Sequence, residues 1–109
     1  MIAPLNEKQF QGMVEQALRA GGWKVYHTFN SRRSEPGYPD IHAVHPVTGQ
    51  SFFAELKMPT SKVSVAQRAW IASLLLAGHV VFIWRPEHWD EIVDVANGTI
   101  DLTASVVAS

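Results

Sequence analysis

Cysteine is absent from the 109 residues, which rules out disulfide frameworks, zinc sites built on thiolates and cysteine nucleophiles. Long apolar runs are missing too. No segment approaches the ~20 residues that a membrane span requires. Met1 to Lys8 holds no basic stretch followed by an apolar one, so the expectation is a cytoplasmic protein. Nor is there a large charge of one sign. A net charge of −1 argues against a chain that grips nucleic acid mainly through its overall field. What remains is 47% hydrophobic and 17% charged, the composition of one globular domain with a single core. We take that domain as 1–109, with its core at about 6–95 and a C-terminal tail at 99–109.

The distribution of charge says more than its sum. Lys24 to Arg68 holds six basic residues and three acids, whereas 86–109 carries five acids and no Lys or Arg. One side of the domain is therefore expected to be positive, with a solvated acidic C-terminal part.

Read for periodicity, the chain alternates between helix and strand signals. Asn6 with Gln9 is a capping-box pattern, and Phe10, Met13, Val14, Ala17 and Leu18 repeat at helical spacing until Gly21-Gly22. Trp23 to Phe29 reads as a strand, and Asn30 to Tyr38 as a polar loop. Residues 40 to 45 and 51 to 57 read as a hairpin about the turn Pro46-Val47-Thr48-Gly49. Ser64 with Gln67 is a second capping box, opening a helix that stops at Gly78. His79 to Trp84 suits a buried strand, and Pro86 starts a last helix that ends at Asn97-Gly98. The final eleven residues read as a weak strand or a tail. The order α-β-β-β-α-β-α predicts an α/β fold with a mixed sheet flanked by helices.

The hairpin carries the chemistry. Asp40 opens one strand, and Glu55 and Lys57 project from one face of the next, because side chains alternate along a strand. Two carboxylates converging beside an ammonium are costly in an interior unless something cationic lies between them, and a hydrated divalent metal fits that need. Glu55-Leu56-Lys57 alone is a common triplet by chance. Its weight comes from pairing with Pro39-Asp40 on the preceding strand, a helix before and a capped helix after. The bland reading of the same residues is a surface cross-strand ion pair.

These features resemble the PD-(D/E)xK nuclease superfamily and, within it, the small VRR-NUC domain of phage and bacterial proteins and some DNA repair enzymes. The resemblance runs from about Asn6 to Val95. It is carried by Glu7 on the first helix, Gly37-Tyr38-Pro39-Asp40, Glu55-Leu56-Lys57 and Ser64-Val65-Ala66-Gln67. It implies a restriction-endonuclease-like αβββαβ core and a metal-dependent deoxyribonuclease that leaves a 5′-phosphate. Asp40, Glu55, Lys57 and Gln67 are then the catalytic set. Glu7, Asp40, Glu55 and the Leu56 carbonyl are the candidate ligands of Mg²⁺, with Mn²⁺ able to substitute. Glu7 is also accounted for by the helix dipole, and Gln67 by capping.

Arg32, Arg33, Lys62 and Arg68 are the candidate DNA-binding residues. Of the histidines, His27, His42 and His45 lack the helical i, i+4 spacing of metalloprotease ligands, although His42 lies two residues from Asp40. Trp23, Trp70, Trp84 and Trp89 fall at core-like positions. A chain this short has little surface for reading base edges, so branched DNA such as a four-way junction is the expected partner. Symmetric cutting of such a junction calls for a homodimer. A non-catalytic nucleic-acid-binding module and a protein-interaction domain are the other classes compatible with the sequence.

Overall fold

The computed structural model describes residues 3–29, 35–100 and 102, which form three helices and one mixed four-stranded sheet. The elements are α1 (Glu7–Ala20), β1 (Lys24–His27), β2 (Ile41–Val44), β3 (Ser51–Leu56), α2 (Val65–Leu76), β4 (Val81–Trp84) and α3 (Trp89–Ala96), with a 3₁₀ turn at Pro86–His88 before α3. The strands lie in the order β1-β2-β3-β4. The first two pairings are antiparallel and β3 runs parallel to β4. That last pairing requires a crossover, which α2 supplies.

Each face of the sheet has its own core. Phe52, Ala54 and Leu56 of β3, with Ile41 and Ala43 of β2, pack with Phe10, Val14 and Leu18 of α1 and Ile92 and Val95 of α3. Phe53 and Val81 pack with Ile71 and Leu74 of α2 on the opposite face. β3 is therefore buried on both sides over Phe52 to Leu56, with Glu55 the one charged residue in the run. Trp23 and Trp84 are buried, Trp70 meets Tyr38 edge to face at 5.0 Å, and Trp89 packs against the first core.

The helix ends follow local chemistry with one difference. The Asn6 side chain accepts from Gln9 N at 2.8 Å, but the Gln9 side chain takes the Leu5 amide, not that of Asn6. Only half of the expected box forms. Ser64 and Gln67 complete theirs in both directions. Gly21, at the end of α1, lies so close to α3 that a Cβ there would fall 1.9 Å from the Ala96 carbonyl oxygen.

The expected loose tail is also corrected in part. Leu102 is buried in the larger core and Ile100 packs against it, since the end of α3 brings this segment over the sheet. Among the described residues no helix is long and apolar enough to cross a membrane.

Candidate active site

Strand register creates the site. Ile41 pairs with Ala54 and His42 with Phe53, so extending β2 backward by one residue sets Asp40 opposite Glu55. Directly opposed residues on one face have Cβ atoms about 5 Å apart. Two bonds fix Asp40 there. Its carbonyl accepts from Thr28 N at 2.9 Å, beyond the end of β1, and its Oδ2 accepts from Leu56 N at 2.7 Å.

Gln67 performs both roles that its position allows. Its Oε1 accepts from Ser64 N at 2.8 Å, closing the capping box, while its Nε2 donates to Glu55 Oε2 at 2.7 Å. Lys57 Nζ stands 3.7 Å from the same oxygen. One Glu55 oxygen is thus held by an amide and faces an ammonium. The other, Oε1, is buried without a hydrogen-bond partner among the described residues.

Gly37 lets this assembly close. Its φ of +86° is one that L side chains rarely adopt, and a Cβ there would lie 2.4 Å from the Ala66 carbonyl carbon. The loop before Asp40 can therefore lie against the first turn of α2, the turn that presents Gln67.

The electrostatics are those of acids pressed together. Burial, then the charge of Asp40, push the Glu55 carboxyl up to about 8, with Lys57 pulling the other way. Asp40 is also raised, by burial, against the opposing effects of the Leu56 amide, a hydrogen bond with Glu55 and the Lys57 charge. Both directions are those of two neighbouring acids that do not ionise together as readily as either would alone. Glu7 is exposed in the first turn of α1, yet it lies in the field of both Asp40 and Lys57, and partial desolvation and Asp40 raise its pKa.

The donor set fits a hard divalent cation. Two opposed carboxylates, one with a buried unpartnered oxygen, supply the ligands and the charge that Mg²⁺ takes up while it keeps several waters. Among the described residues no group of three or more His, Asp or Glu side chains is placed to hold a metal ion, so the protein offers two carboxylates here and not three.

Asp40, Glu55, Lys57 and Gln67 are thus brought together, and Glu7 stands at the margin. Lys62 and Arg68 lie to the side, lining a cavity, while Arg32 and Arg33 fall outside the described residues. His42 stacks on Phe53 at 4.2 Å, and burial and His79 lower its pKa. His45 is structural. Its Nε2 lies 3.1 Å from the Gly21 carbonyl, and its Nδ1 accepts from Val47 N and Thr48 N at 3.3 Å, holding the hairpin turn against α1. Sequence reasoning passed over Arg85, which lines the same cavity as Lys62 and Arg68. The available signal was a lone cation just past a buried strand, at the carboxyl end where open α/β sheets place ligands.

No family model matches the sequence, and no curated protein does. A solved structure described as a VRR_NUC domain superposes on the chain with a TM-score of 0.67, at 23% sequence identity, covering 81% of this chain and 94% of that one. The likeness is one of fold. The chain has the restriction-endonuclease-like α/β fold of a VRR_NUC domain.

Proposed function

We propose that this chain is a Mg²⁺-dependent endonuclease that hydrolyses DNA phosphodiester bonds. The observation that carries the reading is the opposition of Asp40 and Glu55 across two strands, with a buried, unpartnered Glu55 oxygen and the Lys57 ammonium beside them. A surface ion pair needs none of this burial. A non-catalytic module would retain a costly constellation without using it.

Asp40, Glu55 and the Leu56 carbonyl would hold the ion, with Glu7 as a further carboxylate at the margin. When bound, magnesium polarises a phosphate and acidifies a water at neutral pH. Gln67 locks the Glu55 carboxylate through Oε2 and so leaves Oε1 free to act as a ligand. The Leu56 amide does the same for Asp40. Lys57 either neutralises the charge that builds on the phosphate oxygens or takes a proton from the attacking water. Both roles use the same nitrogen, and a pH–rate profile of Lys57→Arg separates them.

For the substrate we infer branched DNA such as a four-way junction, recognised by its backbone and cut by a homodimer. Sedimentation at tens of micromolar should then give about twice the 12.1 kDa chain mass. A monomer removes the dimer.

Cleavage itself is tested with labelled single-stranded, duplex, flap and four-way-junction DNA, with Mg²⁺ or Mn²⁺, for the protein and for Asp40→Ala and Lys57→Ala. Metal-dependent cutting that both substitutions abolish supports the enzyme. Tight binding without cutting replaces it with a binding module, and neither activity leaves a protein-interaction domain.

A further inference from the structure

A second constellation borders the carboxylates and takes no part in the chemistry above. Lys62, Val63, Arg68, Ile83 and Arg85 line an open cavity of about 500 Å³. Its three cations come from the loop before α2, from α2 itself and from the residue after β4. The cavity adjoins the site through the sheet, because Ile83 is the register partner of Glu55 and Lys57 N donates to Trp84 O at 2.9 Å. Arg85 is thus the residue directly after the one that anchors the Lys57 backbone.

Two features of this cavity favour an anion as its ligand. Arg85 Nη1 is buried and has no hydrogen-bond partner among the described residues. A buried guanidinium nitrogen without an acceptor is costly, and the same Arg85 side chain lines the open cavity. No carboxylate among the described residues forms a salt bridge with Lys62, Arg68 or Arg85, the ion pairs being Arg19 with Glu15 and Lys57 with Glu55. The first turn of α2 carries no acid, so the positive end of its dipole adds to the same field. Three cations with no carboxylate partner among the described residues, over the apolar side chains of Val63 and Ile83, suit a phosphate with a sugar attached, and the planar fork of Arg85 matches two phosphate oxygens.

We propose that this cavity is a second phosphate site, in which Arg85, Lys62 and Arg68 grip the phosphodiester adjacent to the one presented to Asp40 and Glu55. The identity of the strand rests on the nuclease reading; the affinity for phosphate does not. The site sets the register of the strand on the enzyme and draws the cleavable bond toward the carboxylates.

The test uses the full chain in EDTA, so that binding is read without cutting. Arginine side-chain NMR signals are followed on adding inorganic phosphate and then an oligonucleotide, for the protein, Arg85→Gln and Arg68→Gln. Arg68 is exposed, so its variant guards against a folding defect at half-buried Arg85. The Arg85 and Arg68 signals should shift saturably with both ligands. Each variant should bind duplex about ten- to a hundredfold more weakly, with a salt dependence about 0.9 lower in log–log slope per lost contact.

Unchanged affinity and slope in both variants overturn the site, whether or not the protein cuts DNA. Phosphate binding that the oligonucleotide does not displace overturns its assignment to the strand. If phosphate and oligonucleotide both bind here and the protein never cuts, the site stands and the nuclease reading falls.

Discussion

Replacing Glu55 by glutamine should make the metal-free protein more stable at alkaline pH while removing its response to magnesium. Glu55 is 2% exposed, and its carboxyl is pushed up to about 8 by burial and by Asp40. An acid held above its unfolded value gives the folded state the extra proton. Its contribution to stability is therefore complete below about pH 4.5 and is lost as pH rises through about 8. Asp40 and Glu7 are displaced in the same direction and steepen the fall. His42, held below 6.5, has the opposite effect, but only below that pH, so the window from about pH 7 to 9 belongs to the carboxyls.

At roughly 1.36 kcal/mol per tenfold change in proton affinity, the interval from 4.5 to about 8 sets a ceiling of about 5 kcal/mol. Water reaching the ionised group lowers this to a few kcal/mol. In a domain of this size that corresponds to a fall in Tm of roughly 10 °C or more between pH 5 and pH 9 in EDTA. Glu55→Gln keeps the shape and an oxygen for Gln67 but cannot ionise. Its Tm should stay nearly level above pH 7 and exceed that of the unmodified chain at pH 9. Magnesium should raise the Tm of the unmodified chain at pH 9 and leave the variant unmoved. Thermal melts by circular dichroism across this range decide the matter. A flat Tm for the unmodified chain from pH 6.5 to 9 in EDTA, or an equal decline in the variant, refutes the reasoning.

Other substitutions probe the remaining contacts. Asp40→Ala and Lys57→Ala should each lower cleavage by roughly 10²-fold or more with the circular dichroism spectrum intact, and a loss of under threefold would remove either residue from the chemistry. Gly37→Ala must adopt φ +86° and drive a methyl into the Ala66 carbonyl, so it should cost about 2 kcal/mol or more in urea unfolding. A change within 0.5 kcal/mol, in order-of-magnitude terms for an ordinary surface site, would contradict that packing. Gln67→Glu preserves the capping arm but sets a like charge against Glu55. Melts in EDTA should show a stability loss that grows above pH 7, whereas Gln67→Ala should cost about 1 kcal/mol at any pH.

The helices and strands were legible because their signals are local. Phe10, Val14 and Leu18 recur at the helical period, Ser64 and Gln67 lie three apart as a capping box requires, and the hairpin turn separates two short apolar runs. These patterns record what neighbouring residues do to one another, and the structure reproduces them to within a few residues. The second arm of the Asn6 box failed because Gln9 found a different amide one residue away. The buried Leu102 was invisible because nothing near it in the chain shows that α3 will carry it over the core.

The chemical types of the site follow from sequence alone: two acids, an amine and an amide on successive elements, with no thiol to compete for a metal. Only the tertiary structure decided that Asp40 faces Glu55, since a slip of one residue in the β2–β3 register would send one of them to the other side of the sheet. It also decided that one Gln67 side chain serves both α2 and Glu55, and that Arg85 joins Lys62 and Arg68 around a common cavity. Those meetings depend on how separate elements pack. A linear pattern carries the spacing of residues within an element but not the direction in which packing turns one element toward the next.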